Sequence, residues 1–570
     1  LSMPARKTWQ SLKATITGQF QALTHPLSLP DAPQRTVPYD GMRGLVQNFR
    51  YDSLAGFIIF LIAMPLSLGI AMASGLPPVA GLISAAVGGI LVSQISGSHV
   101  TINGPAAGLI VVVVGAVDAL GGGNEGYRNT LAAIVVSGLT LFALGRLKCG
   151  ELGKFFPASV VHGMLASIGL IIILKQLPVM LGVQLKVREP FEIVMHLPHV
   201  FTHLNPYVAL IGIVSLLILI VHPKLPLAAL KKIPAPIMVI AAGILMSVLF
   251  QMSESHDYTF FKQVFSINPG KMLVQVPTDF SKLLTFPDFG ALRMPRFWPA
   301  VFSITLVQGI ETVLSCAAVD KLDPFKRKSN LSKDLSAVGF GSAVSGAIGG
   351  LPMIAEIVRS TANIASGART RYANFFHGVF LLVCVATCAA LLNRIPLAAL
   401  AALLVFTGYR LASPRHFKEM HEIGAEQSLI FVSTILITLA TDLLIGVFSG
   451  VAIKLFLHVL RGVKPVELFR GAVDVQDGGE NDTYISPRGA CVFSNYLTLK
   501  HALDSLQPGR NVTIQFDKTT FLDHTVMEHL DDFRTDYEHL GGKVGFIGLD
   551  RLKCISDHPQ CSRRLERQRL

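Results

Sequence analysis

Residues 349–370 read GGLPMIAEIVRSTANIASGART, with Glu356 and Arg359 in the middle. Apolar segments of membrane length flank this stretch, which is itself too short to cross a bilayer as a helix. A second stretch, TINGPAAGLIVVVV at 101–114, is built in the same way, a short apolar run opened by Gly and Pro. A helix that starts inside the membrane leaves its first N–H groups unpaired and points the positive end of its dipole inward. Two such ends facing each other make an anion site without requiring a basic side chain. The backbone at Gly104, Pro105, Ala106 and Ala107 is therefore expected to face that at Ile354, Ala355 and Glu356. Arg359, one turn further on, adds a cation with planar donors suited to oxyanions. Gly and Pro that merely permit packing kinks would explain either stretch alone, but not the matched pair.

The rest of the chain agrees with an α-helical polytopic membrane protein. Of its 570 residues 51% are hydrophobic and 15% charged, at a mean hydropathy of +0.52, whereas a soluble chain carries about 25% charge. Fourteen candidate spans follow: 54–73, 78–97, 104–119, 129–146, 157–176, 207–222, 233–251, 298–319, 335–350, 354–366, 374–392, 396–412, 427–441 and 442–460. The last two are split by the polar step Thr441-Asp442. The third and the tenth are the two broken ones, and three is to seven as ten is to fourteen. That spacing predicts a seven-plus-seven inverted repeat with its site at the midplane. Residues 1–50 read as a cytoplasmic N-terminal region, 51–465 as the transmembrane domain and 466–570 as a soluble domain with a basic tail, SRRLERQRL.

Charge supplies the orientation. With the N-terminus cytoplasmic, the inside loops hold Arg146, Lys148, Lys154, Lys224, Lys231, Lys232, Lys321, Lys326, Arg327, Lys328, Lys333, Arg369, Arg371, Arg410, Arg415 and Lys418. This is the Lys and Arg bias of cytoplasmic loops, and it accounts for the net charge of +12 without nucleic acid. An even span count leaves both termini on that side. The first fifty residues are polar and basic with no apolar h-region, so no cleaved signal is expected. Seven cysteines without CxxC or metal spacing suggest a reduced, structural set.

An acid buried in a span is a functional candidate by default, and Glu311 in ITLVQGIETVLSCAAVD is one. It would couple transport to H⁺ by taking a proton, or to Na⁺ together with backbone carbonyls; the alternative is an acid that only neutralises Arg359. Glu356, three residues before Arg359, is expected to pair with it on one helical face, or else to line the site. Gln308, one turn before Glu311, would hydrogen-bond substrate or pack helices. Asp320 and Asp442 fall at span ends, and His162 and His458 read as interfacial. No metal spacing, nucleotide loop or nucleophile constellation points to an enzyme or a bound cofactor.

In 484–549, GACVFS, YLTLKHALDSL, NVTIQFDKTTFLD, TVMEHLDDFRTDYEHLG and KVGFIGL alternate between strand and helix patterns, which predicts a small α/β domain.

The stretches AMPLSLGIAMASGLPPVAGLISAAVGG (63–89), TINGPAAGL (101–109), GIETVLSCAAVDKLD (309–323) and GGLPMIAEIVRSTANIASGARTR (349–371) together resemble the SulP anion permeases, relatives of prestin. The resemblance implies gate and core domains, an elevator motion of the core, a homodimer in the plasma (bacterial inner) membrane, and a C-terminal cytoplasmic STAS domain. It assigns Arg359 to the anion and Glu311 to proton coupling. Where many members have Gln after the first-span proline, Leu66 follows Pro65, and where many have hydroxyl residues before the arginine, Glu356 and Val358 stand. Those departures, and the likeness of two stretches to the bicarbonate-permease branch, favour bicarbonate over sulfate, with a dicarboxylate or chloride also open. In the STAS-like part Asp517 and Asp523 hold the usual acidic positions, and the phosphorylatable serine of relatives is His524 here, next to Thr525. A stabilising, dimer-supporting cap is the simpler role for it. An uncoupled exchanger or voltage-responsive member, and a sensor signalling through the soluble domain, are the competing readings.

Overall fold

A computed structural model describes residues 37–150, 156–185, 190–224, 233–261, 263–277, 284–479, 481–507, 509–539 and 541–565. Lys154, Lys231, Lys232 and the end of the basic tail lie outside them. Each expected span contains a helix, although 104–119 and 354–366 open on extended backbone and 374–392 is divided between Tyr372–Thr387 and Ala389–Leu392. In chain order these are α1 (Gly41–Ala73), α2 (Pro78–Val87, prolonged to Ile95), α3 (Ile110–Ala119, entered through the 3₁₀ turn Ala107–Leu109), α4 (Gly123–Arg146), α5 (Ala158–Met180), then, after the surface helix α6 (Pro190–Thr202), α7 (Pro206–Val221) and α8 (Ala235–Leu249). The second half comprises α9 (Phe297–Leu322), α10 (Leu331–Ala347), α11 (Ile357–Ala365), α12 (Tyr372–Thr387), α13 (Leu397–Leu411), the surface helix α14 (Pro414–Ile423), α15 (Ala425–Ala440) and α16 (Leu443–Leu460). Eight helices of the described residues are long and apolar enough to cross a membrane, and four further apolar helices are shorter.

Local chemistry sets the boundaries. Asn205, Asn330 and Asp442 cap α7, α10 and α16 by accepting the backbone N–H of Val208, Lys333 and Ile445, which satisfies donors a helix start leaves open. The polar step Thr441-Asp442 is thus a stop followed by a cap. Helices pack closely where side chains are absent. A Cβ on Gly138 of α4 would come within 2.6 Å of the Gly339 carbonyl of α10, the close backbone approach that small residues allow in membranes.

After the last span lies a seven-stranded sheet formed by β5 to β11: Ala472–Asp477, Asp482–Cys491, Asn511–Gln515, Thr519–Leu522, Lys543–Ile547, Leu552–Cys554 and Arg563–Leu565. The β6 strand pairs in parallel with β7 and β8, and β9 extends the sheet beside β7. Two helices, α17 (Tyr496–Asp504) and α18 (His524–His539), complete this α/β domain, whose core includes Ile485, Ile514, Phe516 and Leu530. Cys554 and Cys561 are disulfide-bonded between β10 and β11, and the other five cysteines are free. The expected fully reduced set is corrected here: seven residues apart in sequence, the two thiols are brought together by the chain turning back on itself.

The small domain is fastened to the membrane helices by a buried charge pair. Lys454 of α16 and Asp523 at the start of α18 are 1% and 0% exposed and 2.9 Å apart. Lys454 Nζ also donates to Thr525 Oγ1 at 2.9 Å, and the Ala158 N–H at the start of α5 donates to the same oxygen. Exposed pairs tie α18 to the α9–α10 region through Lys321–Asp532 and Lys328–Asp536, and such pairs contribute little. Burial pushes the Asp523 carboxyl up, but Lys454 and then His458 pull it down further, to about 2. Burial also lowers the His524 imidazole below 6.5, so it remains neutral when docked.

Asp523→Asn should therefore strand the Lys454 ammonium and destabilise docking by about 3–5 kcal/mol, read as easier proteolytic release of the small domain. Asp532→Asn should cost less than about 1 kcal/mol. A histidine with a depressed folded pKa stabilises fully only above its unfolded value. Docking should then weaken as pH falls below 6.5 and again between 3.8 and about 2; His524→Gln should reduce the first step without abolishing it, because the buried His458 of α16 also lies 3.9 Å from Asp523 at this junction.

Candidate functional site

The two broken segments meet as a two-stranded antiparallel ribbon. β1 (Ile102–Pro105) leads into α3 and β4 (Met353–Glu356) leads into α11, with Gly104 opposite Ile354, Pro105 opposite Met353, Asn103 opposite Ala355 and Ile102 opposite Glu356. Extended backbone at this depth must be satisfied within the protein, and each strand supplies the other. The two short helices leave from opposite ends of the ribbon, about 10 Å apart by strand rise, with their N-terminal ends turned towards each other. The expected facing is found for Gly104 and Ile354, whereas Ala106 and Ala107 lie past the ribbon, where the chain has turned into the α3 entry.

Polar side chains of the second half hold the ribbon in place. Gln308 of α9 is fully buried and donates to the Met353 carbonyl at 2.7 Å and to Ser342 Oγ, so its amide positions β4. Ser360 Oγ accepts from the Ile102 N–H at 2.9 Å, and Asn363 donates to the Val100 carbonyl. Asn374 of α12 donates to Asn103 Oδ1 at 3.0 Å. These supporting residues were not singled out from sequence, although Arg359, Ser360 and Asn363 already share one helical face at i, i+1 and i+4. On the opposite face Ile357 and Val358 are exposed.

Arg359 is 1% exposed. Its Nη2 donates to the Pro105 carbonyl at 3.3 Å, while Nε and Nη1 have no hydrogen-bond partner among the described residues. The guanidinium lies against Gly104, where a Cβ would be 2.7 Å from Nη1. Glu356 and Arg359 interact through their charges but do not make the expected ion pair at contact distance: Glu356 is the N-cap of α11 with extended backbone, φ −97 and ψ 114, so it does not share the helical face on which the i, i+3 rule depends. Glu311 does not pair with Arg359 either. Its carboxyl packs on Gly108, where an added Cβ would collide with both carboxylate oxygens, at the positive entry of α3.

Buried carboxylates elsewhere show why Glu311 differs. Asp52 accepts from the N–H groups of Arg369 and Thr370 and from the Thr370 hydroxyl. Asp334 accepts from Ser96, Ser98, the Gly97 N–H and Cys316. Both are structural acceptors. Glu311 Oε1 is buried with no partner among the described residues. An unsatisfied acid at a helix entry and a cation with free donors across the same ribbon are the elements of an ion-binding site.

A cavity of 650 Å³ opens between α1 and α3 on one side and α5 and α13 on the other. It lies at the end of α5 remote from Ala158, hence on the face away from the small domain. None of Gly104, Pro105, Ala106, Ala107, Gln308, Glu311, Ile354, Ala355, Glu356 or Arg359 lines it. Gly69, Leu400 and Leu404 line it together, and a Cβ added to Gly69 would be in ordinary contact with both leucines of α13. Asp442, read as a solvated span end, is exposed and caps α16; Asp320 is bonded to Ser329. Gly108→Ala should destabilise the protein by about 1–3 kcal/mol through overpacking. The cost should shrink in a Glu311→Ala background, as measured by thermal unfolding of the single and double variants.

Residues 49–434 match the family described as "Sulfate permease family". The Bacillus subtilis (strain 168) protein YvdB, named for sulfate transport, is 25% identical, with 88% of this chain and 92% of that protein covered. The transmembrane domain of a cyanobacterium bicarbonate transporter, BicA, superposes with a TM-score of 0.59 at 23% identity, covering 70% of this chain and 97% of that one. The murine Slc26a9 anion transporter superposes with a TM-score of 0.61 at 15% identity, covering 91% and 86%.

Proposed function

Because the chain belongs to the sulfate permease family, whose members are anion transporters and not enzymes, we propose that it is a secondary active transporter of a small inorganic anion coupled to a cation. The anion rests at the β1–β4 ribbon, between the entries of α3 and α11, within reach of Arg359. The observation that carries this reading is the placement of Glu311 on Gly108. An ionised carboxylate there and an anionic substrate draw on the same positive helix entry. Two like charges about 6 Å apart at an effective dielectric of about 20 repel by roughly 3 kcal/mol, about a hundredfold in affinity. Substrate therefore binds well only when Glu311 is neutralised, by a proton or by Na⁺, and that linkage is coupling.

Bicarbonate is the favoured substrate and sulfate the second. Val358 stands where a hydroxyl residue is common before the arginine, and Glu356 adds a negative group that disfavours a dianion. Fourteen spans in a seven-plus-seven repeat, an elevator motion of the ribbon-bearing core past α5 and α13, a homodimer, an inner-membrane location with both termini cytoplasmic and a STAS identity for the small domain complete the proposal.

Proteoliposomes given labelled bicarbonate or sulfate, with Na⁺ and pH gradients imposed separately, should accumulate bicarbonate on one of the gradients; uptake indifferent to both would defeat the coupling. Glu311→Gln should lose at least about tenfold of gradient-driven uptake while remaining monodisperse. Arg359→Ala should raise the apparent KM about tenfold or more, the loss of a charge-assisted contact, and an unchanged value would reassign Arg359 to structure.

A further inference from the structure

A second cleft, of 1160 Å³, lies on the other face of the membrane part, between the end of α4, the start of α10 and helix α17 of the small domain. Arg146 and Lys148 line it from the end of α4, Lys333 from the first turn of α10, and Lys500 and His501 from α17. No acidic side chain lines it among the described residues. Lys500 pairs with Asp504 along its own helix. Arg146 does no more than lie over the Phe142 ring, 5.0 Å from its centroid.

The bias of membrane proteins towards basic loops explains why these residues are positive. It does not explain why Arg146, Lys148 and Lys333 converge on one cleft that the soluble domain closes with His501 and the Asp504-paired Lys500. Arg146, Lys148 and Lys333 form no ion pair among the described residues, so these three like charges repel, and a partly enclosed cleft strengthens the field they make. The volume suits a small organic polyanion, and the Arg146 fork together with two lysine ammoniums is the donor set that binds phosphate oxygens.

We propose that this cleft is a binding site for a phosphate-bearing polyanion, separate from the anion site at the ribbon. Such a ligand bridges the α4 and α10 ends to α17, and so fastens the small domain to that part of the membrane bundle. Its phosphates come from a soluble polyphosphate such as a nucleotide, or from the headgroup of an anionic phospholipid.

The full chain in phosphatidylcholine nanodiscs, titrated with inorganic tripolyphosphate, tests the soluble source. Nanodiscs containing phosphatidylglycerol, followed by native mass spectrometry of retained lipid, test the lipid source. Saturable tripolyphosphate binding, or selective retention of phosphatidylglycerol, is expected in one arm. The triple variant Arg146→Gln, Lys148→Gln, Lys333→Gln should weaken it by at least about tenfold, whereas Lys543→Gln, on β9 away from the cleft, should leave it unchanged. Unaltered elution and thermal unfolding of the triple variant establish that it is folded. Failure of both arms, or equal binding by the triple variant, overturns the proposal, and neither result bears on transport at the ribbon.

Discussion

Irregular backbone cannot face lipid, and that prohibition organises the membrane part of this protein. Opening a span with Gly and Pro leaves several peptide groups without helical partners at a depth where water cannot satisfy them. One broken span alone would be unstable. Two of them, brought in from opposite directions, pair as β1 and β4 and satisfy each other, so the fold requires both. Gln308, Ser360, Asn363 and Asn374 secure the ribbon to the surrounding helices, and every charged group of interest is placed by reference to it.

Around that ribbon, buried polar groups divide into those that are finished and those that are not. Asp52 and Asp334 are surrounded by donors, and Lys454 and Asp523 complete each other. Glu311 Oε1 and two nitrogens of Arg359 are left over. In a protein interior an unmatched polar atom is costly, and Asn103 Nδ2, Gln308 Oε1 and Asn363 Oδ1 beside the ribbon are likewise without a partner among the described residues; Glu311 and Arg359 are the ionisable members of that set, which is why the proposed anion site is built on them.

Much of this was legible in the sequence. The spans follow from apolar length, Asp442 marked a boundary, and the pairing of segments three and ten came from their matched Gly and Pro openings. What resisted was geometry that depends on register. The i, i+3 spacing of Glu356 and Arg359 suggested an ion pair because it assumed helix at both positions, whereas Glu356 belongs to the strand. From sequence Gly104 reads as backbone facing the site and Gly108 is not singled out, whereas both are the seats of side chains, the Arg359 guanidinium and the Glu311 carboxyl, a role set by neighbours distant in the chain. The disulfide between Cys554 and Cys561 was hidden for a like reason, since only the folded hairpin brings the two sulfurs together.

The fastening at the end of α16 has one further implication. Lys454 is embedded at the junction with its ammonium answered only by the small domain, through Asp523 and Thr525. A shortened chain ending after Leu460 would expose that charge at the rim of the bundle with nothing to cover it. Membrane bundle and appendage are therefore not modules that can be shuffled freely, and any lineage that shed the appendage would have had to replace this lysine as well.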